Sequence, residues 1–295
     1  MSVDGALLLD KPLGLSSNAV LQRAKKLLGA KKAGHGGTLD PLASGLLMLL
    51  FGEATKFAGT LLEGDKEYLA TLQLGITTAT GDAEGEVLER RAVALDESRL
   101  HNVLGRFRGE IEQVPPMYSA LKHGGEPLYK LARRGEEVER KPRRVTIGEL
   151  ARVGGRVDRP ELRVHCSKGT YIRSLAMDIG EAIGCGAHLA ALRRTGSGRW
   201  RVEEAVTLEA LEALPPAARQ RRLLPLAALI ADLPRAELDA GGAARLRNGQ
   251  ALPLPGLAEG LCGVYGPDGA VIGLGRSDGA LLRPLRLTQA TEKTR

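Results

Sequence analysis

The chain has 295 residues, 43 % of them hydrophobic and 3 % aromatic, and 42 Lys and Arg against 35 Asp and Glu give a net charge of +7. That apolar content is enough for a sizeable core, and the basic excess favours a polyanionic partner, because each cation that meets a phosphate releases a condensed counterion. Three scattered cysteines, Cys166, Cys185 and Cys262, form no disulfide framework or zinc set, no apolar run is long enough for a membrane span, and no secretory leader is read at the start, so a cytoplasmic setting is expected.

In chain order, residues 5–9 read as a strand closed by the turn residues 10–14. Ser16 and Ser17 can cap a helix over 18–28, in which Val20, Ala24, Leu27 and Leu28 share one face and Gly29 ends it. A glycine-rich loop, 34–40, follows. Gly34, Gly36 and Gly37 allow the backbone to approach a ligand closely, and Pro41 biases Asp40 away from the helical region. Asp40 is therefore expected at the end of an extended loop, just ahead of a helical turn begun by Pro41. Residues 46–51 read as a buried strand, 53–62 as a helix, 67–75 as an alternating strand, 77–85 as a polar loop and 98–107 as a helix.

The character changes over 113–144. Pro115-Pro116 opens this stretch, Gly124-Gly125 interrupts it, and Lys122, Lys130, Arg133, Arg134, Lys141, Arg143 and Arg144 charge it. Its apolar content is too thin for a separate core, so it reads as an inserted arm that orders on a partner, against the plainer reading of a surface excursion. Strands are expected over 143–153 and 161–167 and a helix over 171–183. The Ala-rich, Pro-interrupted stretch 208–231 reads as a boundary, and the Gly- and Pro-rich remainder as a small β domain with strands at 261–265 and 271–274.

The chain lacks a GxGxxG, Walker A, HExxH or GxSxG motif, and its five histidines show no metal-ligand spacing. Any chemistry must come from ordinary side chains in loops. By spacing alone Asp40 is either a nucleophile or an N-cap aspartate, Tyr68 a half-buried strand tyrosine and Arg173 a surface charge at a helix start.

The string 34–45, GHGGTLDPLASG, closely resembles the catalytic motif of the TruB family of tRNA pseudouridine synthases. Further segments match the family in order: LLLDKP at 7–12 with SSN at 16–18, DKEY at 65–68, FRG at 107–109, PPMYSALK at 115–122, HCSKGTYIRSL at 165–175, GAHL at 186–189 and LRR at 192–194. The likeness is strong over 5–194 and weak beyond; Gly36 and Ser44 stand where the family often has threonine. It implies an α/β (α+β) pseudouridine synthase fold with a central mixed, largely antiparallel sheet. The catalytic domain is placed at 1–232, carrying the arm at 113–144, with a PUA-like RNA-binding β domain at 233–295.

By the same resemblance Asp40 is the nucleophile, Arg173 pairs with it, and Tyr68 stacks on the target uracil. His35 contacts the flipped nucleotides, and Tyr171 and Leu192 line the uridine pocket. The implied reaction isomerises the uridine at position 55 in the T loop of tRNA by base flipping, with no cofactor and no metal, in a chain expected to act as a monomer on the T arm. Two alternatives stay open. A non-catalytic RNA-binding protein of this fold needs none of the Asp40, Tyr68 and Arg173 set. A guide-RNA-dependent relative fits less well with the basic arm.

Overall fold

A computed structural model describes residues 3–289. The catalytic part runs β1 (Gly5–Lys11), α1 (Ser17–Leu28), β2 (Ala33–His35), β3 (Ala43–Phe51), a 3-10 turn at Gly52–Phe57, α2 (Ala58–Leu62), β4 (Lys66–Leu74), β5 (Ile76–Thr78), β6 (Val87–Arg90), α3 (Glu97–Gly105) and β7 (Gly109–Gln113). It continues through β8 (Lys122–His123), β9 (Glu126–Pro127), α4 (Leu128–Arg133), β10 (Arg143–Arg156), β11 (Arg159–Cys166), α5 (Ile172–Ile183), β12 (Ala187–Ser197), β13 (Trp200–Arg201), β14 (Val206–Thr207), α6 (Leu208–Ala213), α7 (Pro216–Gln220) and α8 (Leu226–Leu229). The remainder is β15 (Arg235–Glu237), α9 (Ala240–Arg247), β16 (Leu252–Pro253), β17 (Gly260–Tyr265), β18 (Val271–Ser277) and β19 (Leu281–Leu287).

One ten-stranded sheet organises the catalytic part, in the order β14-β1-β3-β12-β4-β11-β10-β7, with β2 added on β3 and β13 on β12. The β1–β14 and β3–β12 pairs are parallel and the rest antiparallel, so the sheet is mixed and largely antiparallel as expected. Helices α3 and α5 cover one region through Leu100, Leu104, Leu175 and Ile179, packed on Leu72, Leu150 and Leu162. Helix α1 covers another, laying Val20, Leu21, Ala24 and Leu28 on Leu7, Leu9, Leu47 and Leu49. Its ends follow from the sequence: the Ser16 hydroxyl accepts from Ala19 N at 3.1 Å, and Gly29 takes the left-handed conformation at φ 67°.

The second sheet, β15-β17-β18-β19-β16, encloses its own cluster around Leu246, Cys262, Val264 and Leu282. A further cluster joins it to the first part, with Tyr265 and Leu274 among Ala54, Phe57, Leu229 and Ile230. The Lys56 ammonium also donates across this junction to Leu287 O at 2.8 Å.

Three expectations need correction. No helical turn follows Pro41: Ala43 N bonds Asp40 O at 3.0 Å in a turn that feeds directly into β3, which begins at Ala43, three residues ahead of its apolar run. The stretch 77–85 is not all loop, since its first residues belong to β5, paired with β6. The helix expected over 53–62 is split into a 3-10 turn and the short α2. Strand β12, which lies at the centre of the sheet and carries Arg193 and Arg194, has no counterpart among the strands expected from the sequence. Among the described residues no helix is long and apolar enough to cross a membrane.

Candidate active site

The loop ahead of β3 is fastened on both sides of Asp40. Ser17, 2 % exposed in the first turn of α1, donates through its hydroxyl to Leu39 O at 2.9 Å and accepts from Leu39 N at 2.8 Å. Gly14 N donates to Pro41 O at 2.8 Å. The serine pair in 16–18 thus has two jobs, one capping α1 and one clamping the loop. Gly37 adopts φ 111°, a conformation an L side chain rarely takes.

Asp40 stands where two lobes of one cleft meet, of about 320 and 500 Å3. Arg173 reaches it from the first turn of α5, with Nη2 3.0 Å from Asp40 Oδ2. The guanidinium is far from a surface charge: its side chain is 6 % exposed, and it also donates to Tyr118 O at 2.6 Å and Thr80 O at 3.3 Å. Asp82, itself 4 % exposed, lies 3.6 Å from Arg173 Nε. One arginine therefore bridges three loops and faces two carboxylates.

Burial pushes the Asp40 carboxyl above the usual carboxylate range, and the Arg173 charge opposes that rise most strongly; Asp82 adds to it and Lys11 reduces it. Lys11 is fully buried at the end of β1, where its ammonium donates to Leu15 O at 2.6 Å and Pro12 O at 2.9 Å. Desolvation brings it down to about 8, although Asp40 and Glu84 favour its charged form. Asp40 is thus a partly desolvated carboxylate, its side chain still 42 % exposed to the cleft, held against the buried Arg173 cation, an arrangement suited to a nucleophile that must stay ionised.

The inner lobe is walled by Tyr68 on β4 and by Leu192 and Arg194 on β12. Their assembly follows from register: Arg194 pairs with Tyr68 and Leu192 with Ala70, so alternate residues of the two strands share a face. Tyr171 also lines this lobe, immediately before α5. Its backbone is gripped by the amide of Gln113, which accepts from Tyr171 N at 2.7 Å and donates to Tyr171 O at 3.0 Å.

His35 lines the other lobe with Tyr118, Tyr129 and Arg133. Desolvation lowers its imidazole below the usual range, so the ring is neutral at pH 7. Its buried Nδ1 has no hydrogen-bond partner among the described residues.

The structure thus brings Asp40, Arg173, Tyr68, Tyr171, Leu192 and His35 to one cleft. Of the charged arm residues expected to meet RNA, only Arg133 lines it, its guanidinium 5.5 Å from the Tyr129 ring centre. Within the arm the charges differ. Arg134 is held by Glu126 at 2.8 Å and Glu136 at 2.6 Å, and Arg144 faces Glu110 at 3.3 Å. Lys122, Lys130, Lys141 and Arg143 have no carboxylate at ion-pair distance among the described residues. Sequence alone does not single out Lys11, Asp82, Gln113 or Arg194. Lys11 and Arg194 lie inside segments that match the family, but nothing local marks them as buried. Among the described residues no group of three or more His, Cys, Asp or Glu is arranged to hold a metal ion.

Comparison with known proteins gives the class of this fold and cleft. Residues 25–172 match the family model for the N-terminal domain of TruB family pseudouridylate synthases. Residues 173–233 match the tRNA pseudouridylate synthase B C-terminal domain, and 234–288 the C-terminal model of pseudouridine synthase II TruB. A tRNA pseudouridine synthase B of Burkholderia mallei is 56 % identical over 293 residues, covering 97 % of each chain. One of Aromatoleum aromaticum is 55 % identical over 286 residues, covering 97 % of this chain and 92 % of that one. Among solved structures, a Cbf5-Nop10-Gar1 complex matches with TM-score 0.72 and 29 % identity over 93 % of this chain and 78 % of that chain. An H/ACA RNP bound to a substrate RNA containing 2′-deoxyuridine matches with TM-score 0.72 and 26 % identity over 96 % and 84 %. The protein is a pseudouridine synthase, an isomerase. It belongs to the TruB family.

Proposed function

We propose that this protein converts the uridine at position 55 in the T loop of tRNA to pseudouridine, with Asp40 as the nucleophile. The observation that carries this reading is the 3.0 Å ion pair between the buried Arg173 and Asp40, set in a cleft walled by Tyr68. The target base must leave the stacked loop to reach Asp40. In the inner lobe the Tyr68 ring stacks on it, and Tyr171 and Leu192 confine it while it is detached. His35, neutral and in the adjoining lobe, contacts the nucleotides displaced with it. Arg173 holds Asp40 ionised against desolvation. Overall the N1–C1′ bond breaks, a C5–C1′ bond forms, and one proton moves from C5 to N1. Reactant and product have the same atoms, so no co-reactant is consumed.

In this reading residues 1–232 form the catalytic domain, 233–295 the PUA-like RNA-binding domain, and the arm at 113–144 grips the T arm. The likeness to Cbf5 complexes favours a second reading, activity only within a guide-RNA assembly. The two part on one experiment. The purified chain alone, in buffer with EDTA, is expected to convert its target uridine in a bare T-arm hairpin, read by nucleoside analysis. A strict need for guide RNA, or for metal while the hairpin stays folded, overturns the stand-alone reading.

The arm charges give a second test. Neutralising Lys130 and Lys141, which lack carboxylate partners, is expected to flatten the salt dependence of tRNA binding by about one unit of log–log slope for each phosphate no longer neutralised. Arg134→Gln is expected to change the slope less, because Glu126 and Glu136 already balance that charge. A filter-binding titration with unchanged slope for the double variant would show that these lysines only solvate the arm.

A further inference from the structure

Arg193 and Arg194 are neighbours on β12 with opposite fates. Arg193 turns outward and pairs with Asp10 at 2.7 Å. Arg194 turns inward and is 2 % exposed. Its Nε donates to Leu46 O at 2.7 Å and its Nη1 to Thr38 O at 3.5 Å. Among the described residues no carboxylate lies at ion-pair distance from it, whereas Arg173 has two. Its guanidinium nevertheless lines the inner lobe, beside the glycine loop and its cross-strand partner Tyr68.

A guanidinium has five N–H donors, and the two carbonyls leave others for the lobe. Burying such a charge without an anion is costly, and a well-packed apolar residue of similar volume is often the more stable choice. A second cation, Lys66, lines the same lobe, and its ammonium is held below the usual lysine range first by burial and then by the Arg194 charge. Asp40, the carboxylate that lines the inner lobe, is taken by Arg173, so the buried Arg194 has no anionic partner of its own.

The reaction supplies one. When the N1–C1′ bond breaks, its electron pair leaves with the base, and uracil becomes a monoanion with charge spread over N1, O2 and O4. Attack at C1′ holds the sugar as an ester of Asp40. C5 then bonds to C1′, the carboxylate is released, C5 loses its proton and N1 gains one. If Asp40 instead adds to C6, the electron pair moves through C5 to O4, and the base is again anionic.

We infer that Arg194 is an electrostatic catalyst that stabilises the anionic uracil inside the inner lobe. This rests on the proposed function above. Preorganised donors aimed at charge that develops during the reaction act strongly in a water-poor site. The phosphodiester of the flipped nucleotide is the competing anion, and it differs in one respect: it carries its charge before and after reaction.

The test compares wild type, Arg194→Gln and Arg194→Lys in single turnovers at saturating enzyme, on tRNA carrying uridine or 5-fluorouridine at the target. Consumption of the parent nucleoside is measured after digestion. Arg194→Gln is expected to slow uridine consumption by about 100-fold or more while tRNA Kd stays within a few-fold. Arg194→Lys, which keeps the charge, recovers a large part of that loss. Fluorine stabilises the anionic base by induction, so the Gln deficit is expected to shrink by about tenfold on 5-fluorouridine, reflecting smaller demand for external stabilisation. Equal deficits on both substrates make Arg194 a packing residue and overturn the inference. Weaker binding with an unchanged saturating rate makes it a phosphate clamp and also overturns it. If the Gln chain does not fold, Arg194→Met, an apolar near-isostere, takes its place with the same readouts. Asp40→Asn run in parallel separates the two levels. If it turns over, the Asp40 mechanism itself fails; if it is inert while Arg194→Gln is unimpaired, only the role of Arg194 fails.

Discussion

Asp40→Asn is expected to abolish pseudouridine formation while tRNA affinity stays within a few-fold of wild type. The amide is nearly isosteric and sits in a loop fastened by Ser17 and Gly14, so its position is retained. Arg173 keeps Asp82 and the carbonyls of Thr80 and Tyr118, so the cation is not stranded by the change. What disappears is the anionic oxygen that, in the proposed mechanism, forms the covalent bond. Losing the nucleophile of a covalent mechanism costs on the order of 10^4-fold or more in rate. Tritium release from C5-labelled uridine in tRNA measures it. Appreciable release from the variant, with deamidation and wild-type carry-over excluded, would mean that Asp40 is only a turn residue.

Arg173→Ala is expected to be nearly as severe and to damage the fold as well. It removes the cation from the buried Asp82 carboxylate, which keeps the Thr80 hydroxyl and Glu84 N as donors, and leaves two carbonyls without the Arg173 donor. Removing one partner of a buried ion pair destabilises by about 3–5 kcal/mol. The catalytic signature is separate from that cost. In the proposed mechanism Asp40 acts as the carboxylate, so activity is expected to fall as pH drops through its pKa. Burial already raises that pKa, and Arg173 is the main force against the rise. Without the arginine the pKa climbs further, the acid limb of the rate profile moves to higher pH, and the deficit narrows as pH increases. Arg173→Lys keeps the charge and is milder, yet three ammonium donors cannot reach four separated acceptors in the same geometry. Thermal melts and pH–rate profiles of both variants report the two effects. An unshifted acid limb in a folded Ala variant would remove Arg173 from the control of Asp40.

How much of this is legible in the sequence depends on the kind of signal. Strands β1 and β3, helix α1 and helix α5 announce themselves through apolar periodicity bounded by Gly, Ser and Pro. The loop bearing Asp40 is marked by its glycines and by Pro41, although the turn after it serves a strand and not a helix, because β3 extends back beyond its apolar run to Ala43, two residues after Pro41. Strand β12 is hidden because its Arg193 and Arg194 interrupt the pattern that a central strand usually shows; one pairs outward with Asp10 and the other is buried. Lys11 and Asp82 are equally hidden. A single charged residue reads as surface by default, and only tertiary packing shows that it is enclosed. The apposition of Arg173 with Asp40 joins residues 133 positions apart, and no local pattern encodes it; the resemblance to a family does.

The bond from Arg173 to the carbonyl of Tyr118 ties the ion pair to the root of the inserted arm. Gln113 reinforces the tie by gripping Tyr171 at the entrance to α5. Under the proposed function, binding and protonation are thereby thermodynamically linked. An RNA that favours the arm position seen here favours the guanidinium in contact with Asp40, and so favours the ionised form of that carboxyl. By reciprocity, protonating Asp40 weakens the hold on the RNA by the same factor. Tight binding of substrate and readiness of the nucleophile are then one equilibrium observed from two ends.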